Sequence, residues 1–238
     1  MLLKNKKNFF ALGIFLLCQV VLYYLTLFAG GKVGVVSSFC IVALSFVFSL
    51  FYINFKDIKV ITQIALLFTV FADICLVLIG AISKEVQSYA MIFFNVTQIA
   101  YLIRLIKEQE NKKINLINLI IRLPIFIIVI IIANKVLGGN VDFLAVVSLL
   151  YYVNLAVNVF FAFISVKKSP LLAIGLLLFL LCDTVVGLSE MARLYLPIKE
   201  GSLIHSILFS GFNLAWVFYA PSQVLLSISS KNQPSLKR

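Results

Sequence analysis

The chain has 238 residues, of which 63% are hydrophobic and 12% charged, with a net charge of +11 and a mean hydropathy of +1.12. Soluble domains run at roughly 45–50% apolar and about 25% charged, so there are too few polar side chains here to cover a water-facing surface. A cytosolic globular enzyme, a disordered chain and a secreted disulfide scaffold are excluded, and the chain reads as an integral membrane protein.

A spanning helix needs about 20 apolar residues to cross a hydrocarbon core about 30 Å thick. Eight such stretches follow one another at roughly 9–29, 33–54, 58–82, 86–105, 114–134, 142–165, 169–191 and 202–228. They are too long and continuous for barrel strands, which alternate over about ten residues. The expected fold is all-α, with eight transmembrane helices in a single integral domain over 1–238 and a polar cytoplasmic tail at 229–238. Connections of at most about ten residues leave no room for an extramembrane domain.

The first stretch follows Lys4, Lys6 and Lys7 and so resembles a signal peptide, but its apolar run continues through Cys18–Phe28 without a small-residue cleavage site. It is expected to be a retained helix. Span three carries Thr62, Thr69 and Asp73 at i, i+7 and i+11, and span four carries Asn95 and Gln98 three apart. In span five Arg122 follows Asn118 by four residues, and Pro124 marks a kink. Arg122 has two readings: it snorkels to the cytoplasmic surface, or it holds a lipid phosphate together with Asn118. Span six presents Tyr151, Asn154 and Asn158; span seven presents Asp183, Gly187 and Glu190, with Glu190 at the water boundary.

Span eight contains the single histidine, His205, then Ser206, Ser210 and Asn213, and Tyr219 and Gln223 four apart. One histidine cannot build a multi-histidine zinc site, so no metal is expected. There is no nucleophile elbow, Walker loop or dinucleotide fingerprint. Cys18, Cys40, Cys75 and Cys182 all fall within spans without a Cys-x-x-Cys spacing and read as small apolar fillers.

With a cytoplasmic N-terminus, fourteen of the 20 Lys and Arg fall on that side, from Lys4 through Lys56, Lys59, Arg104 and Lys107 to Arg238. Five fall on the other (Lys32, Lys84, Lys135, Arg193 and Lys199), and Arg122 lies within a span. The positive-inside rule then puts both termini in the cytoplasm, at the plasma membrane if the chain is bacterial. The basic excess is thus a topology signal, and no nucleic-acid partner is expected.

Two segments look alike. Leu66–Leu76 in span three and Leu176–Val186 in span seven each carry one aspartate, and the spans after them share Phe-Asn-x5-Tyr, at Phe94-Asn95 with Tyr101 and at Phe212-Asn213 with Tyr219. Spans four apart run in the same direction, which suggests halves 1–108 and 109–230 related by an axis along the membrane normal. Polar stripes on apolar helices turn inward, toward a shared polar cavity. Asn95, Gln98, Tyr101, Arg122, Asn154, Asn158, Asn213, Tyr219 and Gln223 are the candidate substrate-binding residues. A carboxyl group in mid-span is costly and functional by default, so Asp73 and Asp183 are the candidate catalytic pair; two such groups in different surroundings can divide acid and base roles. The alternatives are aspartates that only lock helix packing, or a proton-coupled carrier built on two repeats.

Ala72-Asp73, Thr97-Gln98-Ile99-Ala100-Tyr101, Cys182-Asp183 and Tyr219-Ala220-Pro221-Ser222-Gln223, set on eight spans, resemble the YhhN family of membrane proteins. The family pattern has Gly-Asp in span three, Gly-His-x-x-Tyr in span four, Ser-Asp in span seven and a Tyr-rich segment ending in Gln. Its eukaryotic members include lysoplasmalogenases, which hydrolyse the vinyl ether bond of lysoplasmalogens to a fatty aldehyde and a glycerophospho-base. The resemblance implies a lysophospholipid-like membrane substrate and aspartate acid/base chemistry without a cofactor. Gln98 stands where the family has histidine. It can replace a histidine that only hydrogen-bonds, but not one that transfers protons.

Overall fold

The computed structural model describes residues 6–51, 59–79, 84–195, 199–209 and 214–230. These form ten α-helices and one π-helical segment, with no strand among the described residues. In lipid every backbone N–H and C=O must be paired within the chain, and helices do this locally. Seven helical stretches are long and apolar enough to cross a bilayer. They are α1 (Lys6–Phe28), α2 (Gly31–Leu50), α3 (Val60–Asp73) continued by the π-helical Ile74–Ile79, α4 (Lys84–Glu108), the pair α5 (Lys112–Ile120) and α6 (Arg122–Val136), α7 (Phe143–Ile164) and α8 (Pro170–Leu194).

The stretch expected as an eighth span, 202–228, contains two helices, α9 (Leu203–Leu208) and α10 (Leu214–Ser229). The 16 residues of α10 make a helix about 24 Å long, shorter than a full crossing of about 30 Å. Ser210, Phe212 and Asn213 lie outside the described residues, as do Lys4, Lys56, Lys231, Lys237 and Arg238.

Side-chain contacts fix the direction of each helix. Phe15 stacks on Phe48, with ring centroids 3.9 Å apart, and Thr26 donates to Ser37 at 3.1 Å, so α1 and α2 are antiparallel. Gly30 and Gly31, at φ 60° and 50°, make the turn between them, a left-handed conformation that glycine adopts without a Cβ penalty. The buried face of α2 is Gly34, Ser37, Ser38, Ile41, Val42, Ser45, Phe48 and Ser49. Small residues in such a row let neighbouring backbones approach, the usual way helices pack in lipid. Each of its serine hydroxyls donates to a carbonyl three or four residues earlier in the helix.

Gln63 donates to the Ser49 carbonyl at 2.7 Å, which joins the end of α2 to the start of α3. Thr62 with Arg104 and Thr69 with Thr97 make α3 and α4 antiparallel. Gln98 with Asn158 and Gln109 with Ser165 make α4 and α7 parallel. Ser222 donates to the Gly175 carbonyl at 2.8 Å where α10 runs back along α8. The start of α3, the end of α4 and the end of α10 therefore meet at one end of the bundle, called here the Arg104 end.

The fifth stretch is broken where its proline predicts, and the break falls at Ile121, three residues before it. Pro124 has no N–H to give to the Ile120 carbonyl; the ladder resumes as Ile125 N–H donates to Ile121 at 3.3 Å. No residue of α6 is buried, and only Asn118 is in α5. This pair packs on α7 at the margin of the bundle, with most of its apolar surface left for lipid.

Candidate functional site

Asp73 and Asp183 enter the interior from α3 and α8. Asp73 is buried and ends the regular α-helix of α3; the π-helical turn starts at the next residue. A π segment interrupts the i→i−4 ladder and is frequent at functional sites. The Tyr219 hydroxyl of α10 donates to Asp73 Oδ2 at 2.6 Å. The partly buried Asp183 accepts from the Tyr151 hydroxyl of α7. The two carboxyl groups lie within electrostatic reach of each other. Both acids thus hold a tyrosine hydroxyl, the arrangement that lets a carboxyl group exist in an apolar interior.

Aromatic packing aims the two tyrosines. Phe94 stacks on Tyr151 at 5.2 Å and meets Phe179 edge-on at 5.8 Å. Phe179 and Trp216 lie 5.4 and 5.0 Å from the Tyr219 ring. With its ring clamped, each phenol has little freedom except the rotation of its O–H.

A second polar cluster surrounds Arg122. Nε donates to the Asn118 carbonyl (3.0 Å), Nη2 to Asn118 Oδ1 (2.8 Å) and Asn158 Oδ1 (2.7 Å), and Nη1 to Asn154 Oδ1 (2.9 Å) and the Asn154 carbonyl (3.2 Å). All five N–H groups are spent on neutral oxygens of α5 and α7, and the side chain runs sideways into the protein instead of along the helix to the surface. Asn158 Nδ2 donates onward to Gln98 Oε1 at 3.0 Å, and Asn154 Nδ2 to Asn95 Oδ1 at 3.4 Å. Asn95 itself donates to the carbonyls of Met91 and Val147.

Gln98, Tyr101 and Gln223 are fully buried. Tyr101 corresponds to Tyr219 in the sequence repeat, but its hydroxyl holds no partner, and Tyr151 of α7 is the phenol on Asp183. The hydrogen bonding therefore does not follow the repeat.

The third cluster closes the Arg104 end. Arg104 is 1% exposed, although the charge distribution places it in a loop. Its guanidinium donates to Thr62 of α3, to Ser229 of α10 through both hydroxyl (3.0 Å) and carbonyl (3.2 Å), and to Glu108 one turn later at 2.9 Å. The Ser169 hydroxyl donates to the other Glu108 oxygen at 2.8 Å. Nearby, Lys168 holds the exposed Glu110 carboxyl below its ordinary range, a surface pair of small energetic weight. At the opposite end an open cleft of about 540 Å³ is bordered by Asn140, Asp142 and Tyr195, whose own contact is a 2.7 Å hydrogen bond from Tyr195 to Asp142. Neither aspartate lines it. Glu190 is paired with Arg193 at 2.6 Å on the exposed side of α8.

The sequence profile of the YhhN family matches residues 35–230, most of the chain, with both aspartates inside the match. The chain belongs to the YhhN family. Neither the curated proteins nor the solved structures compared with this YhhN member give a match.

Sequence reasoning missed two parts of this YhhN interior. Tyr151 stood in a polar stripe without a role, because nothing in α7 marks which acid it reaches. Arg104 and Glu108 had a usable signal in their i, i+4 spacing, which places opposite charges on one helix face.

Proposed function

We propose that this YhhN protein hydrolyses the vinyl ether bond of lysoplasmalogens, with Asp73 and Asp183 dividing the acid and base work. The observation that carries the reading is two interior carboxyl groups, brought together from α3 and α8, each gripped by a tyrosine hydroxyl. A carboxylic acid protonates the vinyl carbon distal to the ether oxygen, and charge develops on the carbon attached to oxygen as an oxocarbenium ion. A carboxylate nearby stabilises that cation and takes a proton from the attacking water. The resulting hemiacetal collapses to a fatty aldehyde and a glycerophospho-base. The substrate is a lysophospholipid-like membrane lipid, and the polar residues Asn95, Gln98, Tyr101, Arg122, Asn154, Asn158, Asn213, Tyr219 and Gln223 are assigned to positioning it, in part through one another. The proposed architecture is two four-helix halves, with α10 as the eighth crossing and both termini cytoplasmic.

The test is aldehyde release by purified protein in detergent. Asp73→Asn and Asp183→Asn should each lower it by at least ~10²-fold, the scale of a lost general acid or base, while the protein stays folded, because the amide keeps shape and removes a buried acid. Near-parental rates in both variants defeat the assignment. If the folded parent shows no turnover, Gln98→His decides: rescue by histidine retains the hydrolase reading for the family. Failure favours a carrier, which needs two compartments to show activity, or a purely structural role.

A further inference from the structure

Between the levels of the aspartates and of Arg104, three helices bury polar side chains. α3 supplies Thr69, α4 supplies Thr97, Gln98 and Tyr101, and α10 supplies Gln223 and Ser227, all fully buried. Thr69 and Thr97 spend their hydroxyls on the Ala65 carbonyl. The others do not. Gln98 Nε2, the Tyr101 hydroxyl, both amide atoms of Gln223 and Ser227 Oγ have no hydrogen-bond partner in the protein. Buried polar groups are normally paired, with protein or with ordered water, and an unpaired one bears its whole desolvation cost.

On α4 and α10 the unpaired groups follow one another between the level of Asp73 and that of Arg104. Tyr219, Gln223 and Ser227 follow one another at i, i+4 and i+8, and Gln98 and Tyr101 are three apart, so each set descends one helix face in steps of about 4.5–6 Å. The series begins at Tyr219, on Asp73, and ends at Arg104, which ties α3, α4 and α10 together through Thr62 and Ser229. On the outer side of Arg104 is a small cavity bordered by Lys59, Lys168, Ser169 and Ser229, with about 10 Å³ open to the centre of a water-sized sphere. That is room for about one water molecule. The unpaired groups are neutral and include both donors and acceptors. An ion would find no charge among them and an apolar tail would leave them unpaired, whereas water satisfies both kinds.

We propose that ordered water molecules form a file here, bound by Gln98, Tyr101, Gln223 and Ser227, and carry water and protons between the Arg104 end and the aspartates. Hydration of the file stands on the unpaired atoms alone; its use as the supply of the hydrolytic water rests on the hydrolase reading above. Tyr101 and Gln223 are then positioning residues acting through water, and Arg104 with Glu108 forms the mouth.

Hydroxyl-radical footprinting by brief X-ray pulses on the full chain in detergent tests the hydration, because interior side chains are oxidised where bound water lies beside them. Tyr101 should be modified together with the exposed Tyr89, while the equally buried Leu155 stays unmodified. Unmodified Tyr101 at doses that label Tyr89 overturns the proposal. Tyr101→Phe gives an independent sign: in a dry file it removes an unsatisfied hydroxyl and raises Tm by about 2 °C or more, which also overturns it, whereas an unchanged or lower Tm is the hydrated result. Ser227→Leu fills the file and should reduce lysoplasmalogen turnover at least about tenfold. A parental rate in that variant, with Tyr101 labelled in the parent, refutes the route. If the parent has no turnover, footprinting still decides the hydration, and that failure belongs to the hydrolase reading alone.

Discussion

Arg122 carries a permanent charge within a membrane span, and its geometry shows how the protein tolerates it. The guanidinium fork offers five donors in fixed directions, and Asn118, Asn154 and Asn158 supply the five oxygens that meet them. A lysine has three donors on one mobile nitrogen and cannot reproduce that pattern. Arg122→Lys should therefore leave at least one asparagine oxygen unpaired and destabilise the protein by about 2 kcal/mol, read as a lower midpoint in thermal or denaturant unfolding in detergent. Parental stability in the lysine variant would show that the network is dispensable. Asp73 and Asp183 follow the same rule with less: each is held by one phenol, which leaves other lone pairs for a reacting partner.

Individual elements depart from ideal helices where function or packing needs it. The π-helical turn begins at the residue after Asp73, so the regular ladder ends on the acid, while the break at Ile121 follows from Pro124 and sets Arg122 at the first position of α6. α8 and α10 approach each other closely at Gly175. A Cβ built on Gly175 would lie 2.9 Å from Leu226 Cγ and 3.3 Å from the Leu226 backbone nitrogen, and the Gly175 carbonyl also accepts the Ser222 hydroxyl. Gly175→Ala should push α10 away from α8 and cost about 1–3 kcal/mol, the range for overpacked interiors. Because α10 carries Tyr219, the same variant should also weaken the Tyr219–Asp73 bond and lower turnover. A variant as stable and active as the parent would mean that α10 moves freely here.

At the scale of the whole molecule, antiparallel α1 and α2 and the joined ends of α3, α4 and α10 bring the start of α1 and the end of α10 to the Arg104 end. Geometry puts these two helix ends on one side, which the proposed topology takes as the cytoplasmic one. Reporters fused at Lys4 and after Lys231 should both report the cytoplasm; opposite answers at the two places would contradict the span count, and with it the crossing of α10, while two outside reports would contradict the orientation. Arg104 does not count toward that bias as a loop charge, because it is inside the bundle, yet the remaining thirteen against five point the same way.

Sequence alone determined the membrane class, the helix-only fold and the placement of nearly every long helix, because a 30 Å apolar solvent admits few backbones and each leaves a run of about 20 apolar residues. It also singled out Asp73 and Asp183, since a mid-span carboxyl group is rare and costly wherever it occurs. Tertiary structure alone decided their partners. The repeat sets Tyr101 in the place of Tyr219, yet Asp183 is held by Tyr151 from α7, because hydrogen-bond pairing depends on which helices are neighbours and not on spacing within one helix. Arg104 looked like a loop charge because its run of neighbours ends in Lys107 and Glu108, but its position against Thr62 and Ser229 comes from helices 42 and 125 residues away in the chain. The unpaired amides and hydroxyls between the two clusters became visible only once the fold had buried them, since an unsatisfied group is defined by its surroundings, which one sequence does not list.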